Sequence, residues 1–147
     1  MKYIKIRDVK SPSRGTDKSA GIDFFVPNDQ ETIVLKSNES VLFPTGIKMN
    51  IPQDHVLIAF NKSGVATKRD LTVGASVVDE DYQGEIHIHL TNVGEDTQVI
   101  KAGEKIIQFL LLPIAYEGLE EVTSEDELWE GVITDRGEGG FGSTGIH

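Results

Sequence analysis

The sequence predicts an all-β fold, a distorted jelly roll or sandwich-like barrel with at most one short helix and a flexible C-terminal arm. Two observations carry this. Short apolar runs recur at close intervals along the 147 residues, with turn residues between them, as in domains built from many short strands. One run, residues 85–92, alternates at period two, with Ile86, Ile88 and Leu90 between Glu85, His87, His89 and Thr91. That is the pattern of a strand with one buried face.

In chain order, residues 3–7 alternate as a first strand, and a polar loop over 11–18 leads to a second at 19–27. Strands follow at 32–35, 40–43 and 46–51, the last closed by Pro52. Residues 56–60 are continuously apolar, as a strand buried on both faces would be. Residues 71–78 and 85–92 are predicted to pair as a central hairpin, and strands at 97–100 and 105–112 complete the sheets. Ser124-Glu-Asp-Glu-Leu-Trp-Glu130 is the one helical candidate, because Ser124 can cap it and acidic residues suit a first turn. Residues 1–135 form one β-rich domain on this reading, and residues 136–147 form a glycine-rich arm.

The formal net charge of −10 argues against an exposed nucleic-acid footprint and against an anionic membrane surface. An anionic substrate would need a metal ion or a few focused basic residues to offset that field. With no cysteine, thiolate nucleophiles and cysteine metal sites are excluded. No targeting signal and no membrane-length apolar run is present, so a soluble cytoplasmic protein is expected.

Chemistry concentrates in Gly74-Ala-Ser-Val-Val-Asp-Glu-Asp-Tyr-Gln-Gly84, where an apolar run ends in an acidic turn. Asp79 stands directly after that run, where burial and hydrogen bonds can tune a base, and Tyr82 offers a flat ring nearby. The same residues also suit an ordinary acidic turn. The terminal Arg136-Gly-Glu-Gly-Gly-Phe-Gly-Ser-Thr-Gly145 can wrap a phosphate chain with glycine N–H groups, the Ser143 and Thr144 hydroxyls and the Arg136 guanidinium. Phe141 in such a segment suits stacking on a base, although a floppy terminus has the same composition. Asn61-Lys-Ser-Gly-Val-Ala66 is read either as a phosphate-holding turn or as a simple connector. Ala20-Gly-Ile-Asp23 presents a carboxylate suited to Mg²⁺ through water or to a turn. His87 and His89 lack an obvious third metal ligand and are read as solvated or hydrogen-bonded.

Taken together these segments resemble the homotrimeric deoxyuridine triphosphate nucleotidohydrolases, the dUTPases. Five motifs in the family's order carry the resemblance: Ala20-Gly-Ile-Asp23, Lys62-Ser-Gly-Val-Ala66, the 74–84 segment, Ala102-Gly-Glu-Lys-Ile-Ile-Gln108 and the 136–145 segment. The resemblance implies hydrolysis of dUTP to dUMP and pyrophosphate, which keeps uracil out of DNA, with Asp79 activating water for in-line attack on the α-phosphorus. It implies that Tyr82 lies against the deoxyribose and that the main chain around Gly74, Val77, Val78 and the strand near His87 reads uracil. Ser63, Gly64, Lys62 and Gln108 would hold phosphates, and Asp23 would touch Mg²⁺ through water. The arm, with Arg136, Gly142, Ser143 and Thr144 on the phosphates and Phe141 over the base, would close on a neighbouring subunit's site in a homotrimer.

Three departures stand out. Asn61-Lys62 replaces the family's usual Pro-Arg, keeping the charge without the planar fork. Ser76 replaces a glycine beside the base, and an acidic segment, residues 117–135, precedes the arm. Two other readings use the same motifs: a dCTP deaminase-like enzyme, which needs a carboxylate where His89 stands, and a non-catalytic regulatory protein that senses dUTP.

Overall fold

The structure, a computed structural model, describes residues 1–140. Two compact units are present, Met1–Ala115 and a second that begins at Tyr116.

Eleven strands build the first unit: β1 (Lys2–Lys5), β2 (Ile22–Phe25), β3 (Ile33–Leu35), β4 (Ser40–Pro44), β5 (Ile47–Asn50), β6 (His55–Asn61), β7 (Leu71–Val73), β8 (Val77–Val78), β9 (His87–Asn92), β10 (Gln98–Ile100) and β11 (Lys105–Pro113). A four-stranded sheet has the order β2-β11-β6-β8, and a three-stranded sheet the order β4-β9-β7. The pairs β1-β5 and β3-β10 stand beside them, and every pairing is antiparallel. With few helices and antiparallel sheets around a shared core, the predicted β-rich class holds.

Both larger sheets contribute to one apolar cluster. Phe24, Leu57, Ile107 and Phe109 come from the first, and Phe43, Leu71, Ile88 and Leu90 from the second. The alternation in residues 86–92 acts as expected: Ile86, Ile88 and Leu90 are buried, while His87 is exposed. At the centre the rings of Phe24 and Phe109 lie 4.5 Å apart and tilted by 51°, a favourable aromatic geometry. Burying each such ring contributes about 2–3 kcal/mol.

Two local expectations change. Residues 71–78 do not form one arm of a hairpin. β7 pairs with β9, with Val73 opposite Leu90, but after Gly74 the chain crosses to the other sheet, where Val78 pairs with Leu57 of β6. The hairpin is therefore forked, and its two ends belong to different sheets.

The second change is a further helix. Ser63–Arg69 forms α1, so the described residues hold two short helices rather than one at most. Its capping residue, Lys62, makes no side-chain cap hydrogen bond. The helix is instead tied at its other end, where Arg69 reaches the Glu104 carboxylate at 2.7 Å and the Val99 carbonyl at 2.7 Å. Asp70, with φ of 50°, closes it in a left-handed conformation.

In the second unit, α2 (Glu125–Trp129) forms where expected. The Ser124 hydroxyl accepts from the Glu127 N–H at 3.2 Å, and the first turn carries Glu125, Asp126 and Glu127. Among the described residues, no helix is long and apolar enough to cross a membrane.

Candidate functional site

The fork at Gly74 opens a pocket of about 180 Å³ between β8 and β9. Ile86 and Phe109 supply apolar lining, Ala75, Ser76, Val77 and Val78 form one side, and His87 and Leu42 stand on the other. Asp79 and Tyr82 also line it. This mixture of an apolar lining, main chain and a few polar groups suits a flat heterocycle.

Tyr82 is held in place twice. Its hydroxyl donates to the Glu85 carbonyl at 2.9 Å. Its ring lies so close to Gly84 that a Cβ there would fall 2.3 Å from the ring, so a larger residue at this position would push the ring aside. The turn is tied to the body by Glu85, whose carboxylate accepts from the Gly46 N–H at 2.7 Å, and by Glu80, which accepts from the Asp54 N–H.

Burial, one of the influences the sequence allowed for at Asp79, is not present within one chain. Asp79 is exposed at the pocket mouth, and no group among the described residues hydrogen-bonds its carboxylate. A solvated carboxylate with free lone pairs can accept a proton from a water beside it. His87 is exposed on the same pocket, with Nδ1 2.9 Å from the Glu85 carbonyl.

A second group gathers where β2, β6 and β11 run side by side. Gln108 of β11 pairs with Asp23 of β2 on one side and Phe60 of β6 on the other. Asp23, only 5 % exposed, is bonded through one oxygen to the Lys62 ammonium and through the other to Lys105 at 3.0 Å. Burial pushes this carboxyl up, but the hydrogen bonds and charges of the two lysines outweigh it and hold it below its ordinary value. Gln108 donates to the Asn61 carbonyl at 2.8 Å. Its amide oxygen occupies the space above Gly21, where a Cβ would approach to 2.1 Å. Ser63 and Gly64 begin α1 beside Lys62 and are exposed, with nothing within 4 Å of a Cβ built on Gly64.

Lys105 was not among the residues singled out from sequence. Its place in Ala102-Gly-Glu-Lys-Ile-Ile-Gln108, three residues before Gln108, was the available signal.

The two groups lie far apart in one chain. Val78 is opposite Leu57 on β6, so Asp79 stands beside the start of that strand, whereas Lys62 follows its other end. The run from Val56 to Lys62 spans about 20 Å at roughly 3.3 Å per residue.

In the second unit, Arg136 donates from Nε to the Gly139 carbonyl at 2.7 Å. Phe141, Gly142, Ser143 and Thr144 lie outside the described residues.

Among the described residues no cluster of three or more histidine or acidic side chains is placed to hold a metal ion. Asp23 does not fit as an anchor for a divalent cation while both its oxygens carry ammonium partners.

Comparisons with known proteins bear on the family and the fold. The model of the dUTPase family matches residues 7–145. The deoxyuridine 5'-triphosphate nucleotidohydrolase of Mus musculus is 34% identical over 146 residues, covering 99% of this chain and 85% of the mouse protein. The enzyme of the same name from Fusobacterium nucleatum is 37% identical over 147 residues, covering 99% and 96%. The solved structure of Staphylococcus bacteriophage 80alpha dUTPase with dUpNHpp superposes with a TM-score of 0.86 at 25% identity, covering 99% of this chain and 98% of the phage protein.

Proposed function

Because this chain belongs to the dUTPase family, it hydrolyses dUTP to dUMP and pyrophosphate, and we propose that Asp79 is the general base for this reaction. The observation that carries the assignment is the pocket in which Asp79 and Tyr82 stand at the mouth of a main-chain cleft with an apolar lining. Asp79 takes a proton from a water, the water oxygen bonds to the α-phosphorus, and the bond to the bridging oxygen breaks as pyrophosphate leaves. Uracil enters between Val77 and Val78 on one side and His87 on the other, and Tyr82 packs against the deoxyribose where a 2′-hydroxyl would need room.

Lys62, Ser63, Gly64 and Gln108 are the proposed phosphate ligands. A triphosphate is far shorter than the run of β6 that separates them from Asp79, so one chain does not complete a site. The proposal therefore includes a homotrimer in which one subunit supplies Asp79 and Tyr82 and a neighbour supplies Lys62, Ser63 and Gln108. The arm, with Arg136 and residues 141–144, is proposed to close the shared site. Magnesium enters as the companion of the substrate's phosphates, since such ions are commonly held by phosphate oxygens and water. A substrate drawn from the nucleotide pool gives the proposed activity a cytoplasmic setting.

A panel of deoxynucleoside triphosphates with Mg²⁺, scored for pyrophosphate and ammonia, tests this reading. Pyrophosphate from dUTP alone is the expected result. Ammonia from dCTP would favour a deaminase, and binding without turnover would favour a sensing role.

A further inference from the structure

We propose that His89 is a positioning residue for the base-reading loop, holding the main chain of Gly74, Ala75 and Ser76 in the register that recognises uracil. This rests on the reading of the forked pocket as the uracil site. Three contacts converge on His89. The Ala75 N–H donates to its Nδ1 at 2.8 Å, and the Gly74 N–H donates to its carbonyl at 3.0 Å. Gly74 lies directly against its ring, so that a Cβ there would fall 2.2 Å from Nδ1.

These contacts define what His89 is chemically. A nitrogen that accepts from a main-chain N–H carries its lone pair there, so the neutral ring bears its proton on Nε2. The ring is carried by β9, a strand whose Ile88 and Leu90 are fully buried, and is therefore a fixed acceptor rather than a mobile one. At the other end of the loop, the Ser76 carbonyl accepts from the Ala59 N–H at 2.8 Å. Between these two anchors, the Ala75 carbonyl and the Ser76 N–H have no hydrogen-bond partner among the described residues, and both residues line the pocket.

These two groups belong to one trans peptide, so they point to opposite sides and one of them can meet the base edge: the carbonyl would accept from the uracil ring N–H, or the N–H would donate to a uracil carbonyl oxygen. Cytosine presents the reverse pattern, a ring nitrogen acceptor and an amino donor. Without the Nδ1 acceptor, the loop between Gly74 and Ser76 is tied only through main chain, and the Ala75–Ser76 peptide loses its fixed orientation toward the base. Loss of preorganisation weakens binding of the right base and relaxes rejection of the wrong one.

The test has a readout that needs no turnover. In ¹⁵N-labelled protein free of nucleotide, the Ala75 amide is expected to exchange slowly and to show a scalar coupling to His89 Nδ1. Absence of that coupling overturns the proposal, and this measurement needs no variant to fold. His89→Val removes the acceptor while keeping a side chain suited to a strand. It is expected to raise KM for dUTP roughly three- to tenfold, the scale of one net hydrogen bond, with kcat within about twofold. The preference for dUTP over dCTP is expected to fall by a similar factor. His89→Asn, whose amide oxygen can replace Nδ1, is expected to restore both. Unchanged KM and Ala75 exchange in His89→Val overturns the proposal, as does a folded His89→Asn that behaves no better than the valine variant. Wild-type protein inert toward dUTP would overturn the functional reading, and this proposal with it. Active wild type with an indifferent His89→Val overturns the proposal alone.

Discussion

The Asp23 carboxylate on β2 is bonded to the Lys62 ammonium beyond the end of β6, and Lys105 on β11 takes its second oxygen at 3.0 Å. One buried acid thus ties together three neighbouring strands and leaves an excess positive charge beside the proposed phosphate ligands. Its carboxyl titrates below the ordinary value because the lysines outweigh burial. A carboxyl whose folded-state value is lowered stabilises the fold above its unfolded value, 3.8, and that contribution is lost as the pH falls through the folded value. Asp23→Asn is therefore expected to lower Tm at pH 7, with a gap to wild type that narrows below about pH 4. A gap that stays constant from pH 7 to pH 3 would show that the ion cluster adds nothing to stability.

Asp79→Asn is expected to leave folding and dUTP binding nearly intact while removing most turnover. An amide cannot take the proton from water, and loss of general-base catalysis alone corresponds to a factor of about 10²–10⁴ in kcat. Because Asp79 is exposed and no described group hydrogen-bonds its carboxylate, Tm should hardly move. Wild-type kcat in this variant would remove Asp79 from the mechanism.

How much of this was legible in the sequence depends on how local each cause is. The strand around Ile88 announces itself because its burial alternates within a few residues. The break after Val73 does not, since it is caused by β6 offering Leu57 and Ile58 as partners to Val78 and Val77 from the other sheet. Helix α1 was missed for a similar reason. It is too short for a helical periodicity, and its Arg69 is anchored on Glu104 and Val99, about thirty residues away. The glycines of the motifs were legible as a pattern but not in their purpose. Gly21 makes room for Gln108 and Gly84 for Tyr82, and only the folded chain shows those approaches. The pairing of Lys62 with Asp23 likewise requires β2 and β6 on either side of β11.

The distance along β6 between Asp79 and Lys62 gives the shared site a direct test. Asp79→Asn chains and Lys62→Met chains are each expected to be poorly active as homotrimers. Co-refolded mixtures should regain activity, because some sites then combine an intact Asp79 from one subunit with an intact Lys62 from another. Truncation before Arg136 should likewise remove nearly all hydrolysis while leaving a folded trimer, and this chain should also be rescued by mixing with Asp79→Asn. No recovery in verified mixed trimers would place the whole site within a single subunit.

Ser76 is the departure closest to the base. Its side chain lies half-buried on the pocket wall, and its carbonyl is committed to the Ala59 N–H at 2.8 Å. The hydroxyl can both donate and accept, so it can satisfy either pyrimidine edge, whereas glycine leaves reading to the main chain alone. A site whose fixed polar groups match one base rejects the other strongly, and an adaptable hydroxyl softens that rejection. Ser76→Gly is therefore expected to raise the ratio of kcat/KM for dUTP over dCTP by about 1 kcal/mol, the worth of one net hydrogen bond. The structure adds a condition: the gain requires the Ala75 N–H to stay on His89 Nδ1, since glycine also loosens the loop. Measuring both ratios in Ser76→Gly and in Ser76→Ala separates the two effects. The alanine variant lacks the hydroxyl but keeps the stiffer backbone, so it should show the larger gain. Equal ratios in all three proteins would mean that the hydroxyl points away from the base and that selectivity resides in the main chain of the fork.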